Sequence, residues 1–512
     1  MVTRLHLEDL RVICHFMGIL VLILGGAMVV PFVLAVLLGE YDSAVIFIKC
    51  IGITLLAGAI LNMAKIERVQ MMRHQALVVT GLSWVVLAFF GSLPLWMSGH
   101  FSSFQDAFFE GTSALTATGL SVALDIDHMA LSMNTWRFVL HLAGGIGVLV
   151  IALALGVFGS GASAASVYSA EGREGRVMPE VKQMARFIFK VSAVIIPLGA
   201  LACFVPLLLG GQGVVRAAFT SVWLSISAFA TGGMTGQSMG IMAYHSWPLE
   251  VVTMLIMFFG VINFILYGDI WKGHVKNFIK DMETRTMAVW IAAIMLLVLA
   301  AVFISSSYYH HVGALVRRVL YLVVSASTNV GFSTMYSGQV LYMLGTGVFF
   351  VVGIAMIIGG SSSSTTGGIK AFRIGIIVRS LVQTIREALS ADHVEARTFY
   401  YHRGRKLLTG KQASEALTVF LLYILTFAAG SVVGILCGYD ALSAIFESIS
   451  AASNGGLSSG IVGSGMPSVL ETTYIVEMFL GRLEFVAIFA MLMQIALSLA
   501  PGHGLVKRGD GR

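Results

Sequence analysis

One nine-residue pattern occurs four times in this chain, at residues 113–121, 227–235, 325–333 and 450–458. Every copy begins with Ser-Ala, has a glycine six residues after that serine, and continues with an apolar residue and then serine or threonine. An aromatic residue precedes each serine by four positions, and these residues are Phe109, Trp223, Tyr321 and Phe446. A motif that returns at intervals of about one hundred residues indicates a repeated supersecondary unit, so the fold must contain four related parts.

The composition indicates where these repeats reside. Of the 512 residues, 57% are hydrophobic and 11% are charged, whereas soluble domains carry about 25% charged residues. So little polar surface cannot cover a globule in water, and we predict a membrane protein that crosses the bilayer several times. The net charge of +6 comes from basic clusters between apolar runs, which indicates membrane topology and argues against binding of nucleic acid. The four cysteines lie in apolar segments without CxxC spacing, so we expect small core residues.

Apolar runs that are long enough to cross a bilayer, about 20 residues, alternate with the motifs. We predict ten spans, at residues 12–39, 44–63, 77–98, 135–159, 187–210, 248–270, 287–305, 340–358, 414–437 and 471–499. Segments too short to cross lead into the motifs, at residues 105–115, 213–228, 311–326 and 440–451.

The predicted fold class is therefore an all-α integral membrane protein in which four repeats surround a pseudo-fourfold axis. Each repeat consists of a helix, a short pore helix, a motif and a second helix. Two leading transmembrane helices (1–75) precede repeat 1 (76–170), repeat 2 (171–284), repeat 3 (285–411) and repeat 4 (412–512).

Lysine and arginine are concentrated on one side of the predicted membrane, mainly at residues 65–73, 173–190, 272–285, 379–411 and 507–512. The other side holds only Arg137, Arg216, Arg317 and Arg318. Because loops rich in these residues remain in the cytoplasm, we predict that both termini are cytoplasmic. The four short helices then enter the membrane from outside.

The non-helical backbone of each motif must be buried in protein or line a water-filled path if it lies at membrane depth. Four such segments around one axis could surround an ion with carbonyl groups that replace its hydration shell. Glycine reaches the dihedral angles that point successive carbonyls the same way, and the C-terminal ends of four short helices favour a cation. The alternative is that these small residues only let helices pack closely in lipid. The predicted ion-binding residues, named the motif segments below, are Ala117, Thr118, Gly119, Leu120, Thr231, Gly232, Gly233, Met234, Asn329, Val330, Gly331, Phe332, Asn454, Gly455, Gly456 and Leu457.

A second unusual stretch interrupts the predicted last helix of repeat 3. It consists of Gly359, Gly360, Ser361, Ser362, Ser363, Ser364, Thr365, Thr366, Gly367 and Gly368, and Lys370 follows closely. Ten residues of this kind cannot form a lipid-exposed helix, so they need protein or water around them. A phosphate-binding loop is excluded because the pattern GxxxxGK[ST] is absent. We predict a gating loop beneath the motif segments, named the intramembrane loop below, with a hinge at Gly367 and Gly368.

These residues resemble the Trk/Ktr/HKT superfamily of potassium transporters over nearly the whole chain. The arrangement of outer helix, pore helix, filter and inner helix is similar, and the two leading helices resemble the TrkH branch. The stretch from Gly359 to Lys370 is similar to the glycine- and serine-rich intramembrane loop of that family, and Gly481-Arg-Leu-Glu484 is a second match. In plant relatives, serine at the first filter glycine accompanies sodium selectivity, whereas Gly119, Gly233, Gly331 and Gly456 are all glycine here.

The resemblance implies potassium uptake through a carbonyl-lined filter, with potassium as the substrate and no cofactor bound to this chain. A sodium-preferring or weakly selective cation transporter is the alternative. The resemblance also implies a homodimer in the bacterial inner membrane and a separate cytoplasmic regulatory subunit of the RCK type that binds nucleotide. This chain has no GxGxxG fingerprint of its own, and its basic 379–411 stretch is the expected docking face.

Three charged residues near the motif segments, Arg482, Glu110 and Glu447, each have two possible roles. The family places an arginine at the position of Arg482, where its charge would impede cations, whereas the simpler role is a salt bridge with Glu477, Glu484 or Glu447. Glu110 and Glu447 precede their motif serine by three residues, where Leu224 and Leu322 stand in the other copies. We expect these two carboxylates to bond to backbone amides, although they could also attract cations.

The remaining polar candidates are weaker. Asp125 and Asp127 could concentrate cations on the outer face but are more simply solvated, and His310-His311 are expected to be interfacial residues. An intramembrane enzyme would need a catalytic pair within the spans, and a voltage-gated channel would need a ladder of arginines. Neither pattern is present in the predicted spans, so no catalytic residue is predicted.

Overall fold

The computed structural model describes residues 7–64, 72–147, 178–305, 312–390, 397–402 and 404–499, and most of these residues are helical. The helices in chain order are α1 (Leu7–Ala27), α2 (Val29–Leu38), α3 (Tyr41–Asn62), α4 (Arg73–Met97), α5 (Phe104–Leu115), α6 (Leu131–Ile146), α7 (Met178–Leu209), α8 (Val214–Ala230), α9 (Trp247–Val261), α10 (Phe264–Trp271), α11 (Val275–Lys280), α12 (Met282–Ser305), α13 (Val312–Ser327), α14 (Ser337–Gln339), α15 (Thr346–Ala355), α16 (Ala371–Ala388), α17 (Gly410–Leu436), α18 (Ala441–Ser453), α19 (Ser468–Arg482) and α20 (Val486–Leu499). A 3-10 turn (Gly240–Tyr244) and a π turn (Val340–Leu344) complete the helical structure.

Two small pairs of strands accompany the helices. Strand β1 (Ile358–Gly359) pairs in parallel with β2 (Ile369–Lys370), and this pairing closes the base of the intramembrane loop. Strand β3 (Phe399–Tyr401) pairs antiparallel with β4 (Arg405–Leu407), with Tyr400 opposite Lys406.

The chain divides into two compact units, of which the first contains residues 1–116, 122–194 and 483–512. In this unit α1 packs along α3 at a pair of glycines, because a Cβ on Gly18 would lie 2.7 Å from the carbonyl oxygen of Gly58. Helix α4 packs against α20 at Gly81, where a Cβ would lie 3.0 Å from Met491 Sδ. Small residues at these crossings allow the close backbone approach that is typical of helices in a membrane.

The second unit contains residues 117–121 and 195–482, and therefore all four motif segments. Helix α12 packs against α13, α15 and α16, while α17, α18 and α19 pack together. Two apolar clusters join these helices to the strands. Ile358 packs with Val261 in one cluster, and Tyr400 packs with Met282 and Ile376 in the other. The intramembrane loop and the β3–β4 hairpin are thus anchored on the same helices.

Six helices in the described ranges are long and apolar enough to cross a bilayer, which supports the prediction of a multi-spanning protein. They are Glu8–Leu38, Tyr41–Asn62, His74–Met97, Ala185–Leu209, Met282–Ile304 and Gly410–Leu436. Each corresponds to a predicted span, and the first contains α1 and α2 in succession.

Three of the predicted spans are wrong as continuous helices. Residues 248–270 form α9 and α10, which are bent by 100°. Residues 340–358 contain the π turn, Gly345 at a φ of +99° and the short helix α15. Residues 471–499 break between α19 and α20, where Glu484 and Phe485 have φ values of +51° and +68°. Apolarity in a sequence window gives no information about such breaks, because they depend on polar partners elsewhere in the fold. In the span predicted at 135–159, α6 ends at Ile146, and residues 148–159 lie outside the described residues.

A short helix precedes each motif segment. These helices are α5, α8, α13 and α18, and their limits lie within two residues of the short segments predicted from the sequence. Serine or aspartate caps two of them. The Ser103 side chain accepts a hydrogen bond from the Asp106 amide at the start of α5, and Asp440 accepts one from the Ser443 amide at the start of α18.

Candidate functional site

The backbone turns in the same way in all four motif segments. Each segment opens with a residue in the left-handed region: Ala117, Thr231, Asn329 and Asn454 have φ values of +55°, +56°, +54° and +52°. The glycine two positions later also has a positive φ: +93° at Gly119, +64° at Gly233, +91° at Gly331 and +73° at Gly456. A left-handed residue ends a helix abruptly, so each short helix stops and the chain continues as non-helical backbone.

The four motif glycines lie against one another in succession. A Cβ on Gly119 would overlap the carbonyl oxygen of Gly232, and one on Gly233 would overlap that of Val330. A Cβ on Gly331 would lie 2.7 Å from Gly456 Cα, and one on Gly456 would overlap the carbonyl oxygen of Thr118. Each segment therefore approaches the next, and the fourth approaches the first, which closes a ring.

Two asparagine side chains connect neighbouring segments of the ring. Asn329 Nδ2 donates to the carbonyl oxygens of Met356 (2.8 Å) and Ser453 (2.9 Å). Asn454 Nδ2 donates to Thr118 Oγ1 (2.8 Å) and to the carbonyl oxygen of Met478 (3.1 Å). Asparagine tolerates the left-handed backbone, so its side chain is available to join repeat 3 to repeat 4 and repeat 4 to the first motif segment. The sequence identified these residues only for their carbonyl groups.

The intramembrane loop is buried along its whole length and is bonded to the break between α9 and α10. The Ser361 amide donates to the Val261 carbonyl (3.2 Å), and the Phe264 amide donates to the Ser363 carbonyl (3.0 Å). Thr365 Oγ1 lies 2.9 Å from the Gly260 carbonyl oxygen. Protein groups supply these bonds, which is one of the two surroundings that the sequence required.

Glu283, at the start of α12, anchors the loop through hydrogen bonds. Its Oε1 accepts hydrogen bonds from the Ser362 amide (2.8 Å) and from Ser362 Oγ (2.6 Å), and its Oε2 accepts one from Asn263 Nδ2 (2.9 Å). The Glu283 side chain is fully buried. Sequence reasoning missed this residue, although a glutamate in the first turn of a very apolar helix was an available signal.

The loop also reaches the ring. Thr365 Oγ1 contacts the Phe229 carbonyl oxygen at the end of α8 (2.9 Å) and Thr231 Oγ1 (3.2 Å). A Cβ on Gly367 would overlap the Ser453 carbonyl oxygen at the end of α18, and one on Gly368 would lie 3.1 Å from Asn329 Nδ2. Gly367 is therefore a point of close approach, and the hinge at Gly367 and Gly368 stays a prediction.

Two basic residues bond to the loop. Arg482, half-buried at the end of α19, donates from Nη1 to the Thr365 carbonyl oxygen (2.7 Å). Lys370 Nζ donates to the Thr366 carbonyl oxygen. The structure thus brings Arg482 onto the face of the loop that contacts the ring.

The carboxylates that precede the first and fourth motifs bond to backbone amides, as expected. Glu110 Oε2 accepts from the Val122 amide (3.1 Å), and Glu447 Oε2 accepts from the Ser459 amide (2.6 Å). Each amide lies three residues beyond its motif glycine, so both carboxyl groups hold the chain as it leaves the motif segment.

The remaining sequence candidates were Asp125, Asp127 and the pair His310-His311. Asp125 is exposed and bonds to His128, whose side chain and amide hold the pKa of that carboxyl below its usual value. His310 and His311 lie outside the described residues.

Asp281, Glu283 and His402 each place a possible metal-ligand atom within 4.8 Å of the others. Asp281 bonds to His402 Nδ1 (3.0 Å) and to the Glu283 amide (2.9 Å), so this cluster is bonded internally as well as to the loop.

The chain is similar to known cation transport proteins. The family model described as TrkH, cation transport protein, matches residues 42–496. An uncharacterized cation transporter of Methanocaldococcus jannaschii is 27% identical over 490 residues, which cover 96% of this chain and 97% of that protein. The Trk system potassium uptake protein TrkH of Halomonas elongata is 26% identical, and the match covers 94% of this chain and 98% of the relative.

The fold is similar to that of a solved transporter. The crystal structure of the potassium transporter TrkH from Vibrio parahaemolyticus matches with a TM-score of 0.78 and 24% identity, covering 96% of this chain and 98% of the other. The family match extends over most of the chain, and the long apolar helices account for an integral membrane protein. The chain belongs to the TrkH family of cation transport proteins.

Proposed function

We propose that this protein takes up potassium through a filter formed by the four motif segments. The observation that carries the proposal is the closed succession of glycines, in which each segment contacts the next and the last contacts the first. Backbone carbonyl groups arranged in this way can replace the hydration shell of a monovalent cation. The relatives named as potassium uptake proteins, which match over 94% of this chain, support potassium as that cation.

The intramembrane loop is the proposed gate. It contacts the C-terminal ends of α8 and α18 through Thr365 and Gly367, so it lies where the short helices direct their carbonyl groups. Its own bonds to Glu283 and to the α9–α10 break hold it there. Movement of the loop requires the loss of those bonds, which gives a closed state that is stable until a regulator supplies the free energy to open it.

Arg482 is the proposed charge barrier. Its guanidinium is half-buried and bonds to the loop, which supports a place for its positive charge beside the path proposed for the cation. A like charge raises the free energy of a cation in a region of low dielectric constant. The proposed charge barrier and the proposed gate therefore share one contact, the hydrogen bond from Arg482 to the Thr365 carbonyl oxygen.

The surroundings of the chain are part of the proposal. We infer a homodimer in a bacterial inner membrane, with both termini cytoplasmic and with a separate nucleotide-binding subunit of the RCK type. The names of the relatives describe a Trk system, which supports a membrane component of a larger assembly. The basic segment 379–411 is the proposed docking face, and potassium is the substrate with no cofactor on this chain.

Rubidium uptake into liposomes that contain the purified protein tests the function. Uptake should be inhibited by external potassium at concentrations where sodium has little effect, with and without the regulator. Equal inhibition by the two ions would refute the potassium filter and favour a weakly selective cation pathway. An absence of cation-dependent uptake in correctly folded protein would refute transport itself.

A further inference from the structure

Repeats 1 and 4 can be aligned at several positions, in the sequence and in the structure. A shift of 337 positions carries Gly119 onto Gly456. The same shift carries Gly144 onto Gly481, and these glycines make the same contact: a Cβ on Gly144 would overlap the Leu115 carbonyl oxygen, and one on Gly481 would overlap that of Ala452. Residues behind the two motif segments can therefore be compared at equivalent positions.

In repeat 1 a buried carboxylate has a buried cation. Arg137 donates to Glu110 Oε1 from Nε (2.8 Å) and from Nη2 (2.5 Å), and both side chains are at most 1% exposed. Asn134 Oδ1 accepts a further bond from Arg137 Nη1 (2.9 Å). Charge and hydrogen bonding are thus both satisfied, and this is the condition under which an ionised carboxylate is stable away from water.

In repeat 4 the carboxyl group is retained and the cation is replaced. The shift carries Glu110 onto Glu447 and Arg137 onto Tyr474. Glu447 is fully buried, and its Oε2 accepts from the Ser459 amide (2.6 Å) and from Ser459 Oγ (2.5 Å). Among the described residues, Glu447 Oε1 and the Tyr474 hydroxyl have no hydrogen-bond partner, and Glu447 forms no ion pair.

The other groups that face this carboxyl do not compensate for the missing guanidinium. The Ser458 hydroxyl and the Val462 amide face Glu447 and are neutral. Around Tyr474 lie Cys437 and Tyr439 at the end of α17, and Glu477 of α19, a second buried carboxyl whose Oε2 is also without a partner among the described residues. An ionised Glu447 would therefore face neutral groups and another acid.

We propose that Glu447 is a buried proton-binding site, and that it is a neutral carboxylic acid where its counterpart Glu110 is an ionised carboxylate. A neutral acid can still accept both bonds from Ser459 through Oε2, and it avoids the much larger cost of burying an uncompensated negative charge. Loss of the proton would place a full negative charge behind the fourth motif segment. The charge would lie on the group that holds Ser459, three residues beyond Gly456.

Infrared spectroscopy and thermal unfolding of the purified full-length protein test this inference without relying on transport. In mildly acidic solution the wild type should show a carbonyl stretch from a protonated carboxyl that is missing in Glu447→Gln. That variant should melt near the wild-type temperature, because a neutral amide replaces a neutral acid of the same shape. The matched variant Glu110→Gln should melt lower or fail to fold, because Arg137 loses its carboxylate.

A second variant supplies the missing cation. Tyr474→Arg should remove the same protonated-carboxyl band, because an adjacent guanidinium favours the ionised form of Glu447, and in the Glu447→Gln background it should lower the melting temperature. The inference is overturned if Glu447→Gln leaves the protonated-carboxyl band unchanged, or if it destabilises the protein as much as Glu110→Gln does. Both readouts are independent of the proposed potassium filter.

Discussion

Replacement of Gly119 by serine should have two effects, backbone strain and a steric collision, and a control variant can separate them. Gly119 has a φ of +93°, and a Cβ there would overlap the Gly232 carbonyl oxygen. Gly211 provides a matched control, because its φ is +85° and no atom lies within 4 Å of the position of its Cβ. Gly119→Ser and Gly211→Ser therefore share the backbone strain, and only the first has the collision.

The magnitudes follow from these two contacts. A non-glycine residue in the left-handed region costs about 1–2 kcal/mol, so both variants should lose that much free energy of unfolding. Overpacking costs about 1–3 kcal/mol more, and Gly119→Ser alone should incur it. Because the group displaced is a carbonyl of the neighbouring segment, the preference for potassium over sodium should also fall, by about tenfold for each 1.4 kcal/mol.

The assay is rubidium uptake into liposomes with potassium or sodium as competitor, alongside denaturant unfolding in detergent. We expect Gly211→Ser to be modestly less stable with an unchanged ratio of the two inhibition constants, and Gly119→Ser to be less stable still with a reduced ratio. If the two variants have the same inhibition ratio as the wild type, the reasoning that places Gly119 in an ion-selecting ring is refuted.

Three further variants examine the loop and its partners. Gly367→Ala places a Cβ onto the Ser453 carbonyl oxygen, so it should displace the loop and raise uptake without the regulator; an uptake that remains regulator-dependent would contradict the close contact. Arg482→Gln keeps a donor for the loop and removes the charge, so uptake should rise with little change in melting temperature; reduced uptake would assign Arg482 a purely structural role. Glu283→Ala removes the acceptor for two bonds from Ser362, each worth about 0.5–1.5 kcal/mol, and should lower stability and raise unregulated uptake, whereas unaltered regulation would mean that the loop is held elsewhere.

The sequence predicted the features that depend on local patterns. The short helices before each motif and the six long apolar helices follow from the length of apolar runs and from the positions of glycine, and the structure contains them where they were expected. The bonding of Glu110 and Glu447 to backbone amides was likewise expected from their fixed distance to the motifs.

Features that depend on distant partners could not be predicted. The bend between α9 and α10 is stabilised by bonds between the carbonyls of 260 and 261 and a loop one hundred residues away. Arg137 forms an ion pair with Glu110. The sequence indicated only that Arg137 lies on the outer side of the membrane and that Glu110 lies near the first motif. Apolarity and spacing carry no information about which buried polar groups meet, so these contacts become visible only in three dimensions.

The intramembrane loop has a consequence for the number of chains that can build such a protein. One loop bonds at the end of α8 through Thr365 and packs at the end of α18 through Gly367, beside Asn329. An assembly of four identical subunits would have to present four copies of every segment, because symmetry repeats each contact on all subunits. Four loops would then compete for the volume that one loop fills. Fusion of the four repeats into a single polypeptide removes this conflict. Repeat 3 can then carry the loop, while the other three repeats contribute only their motif segments to the ring.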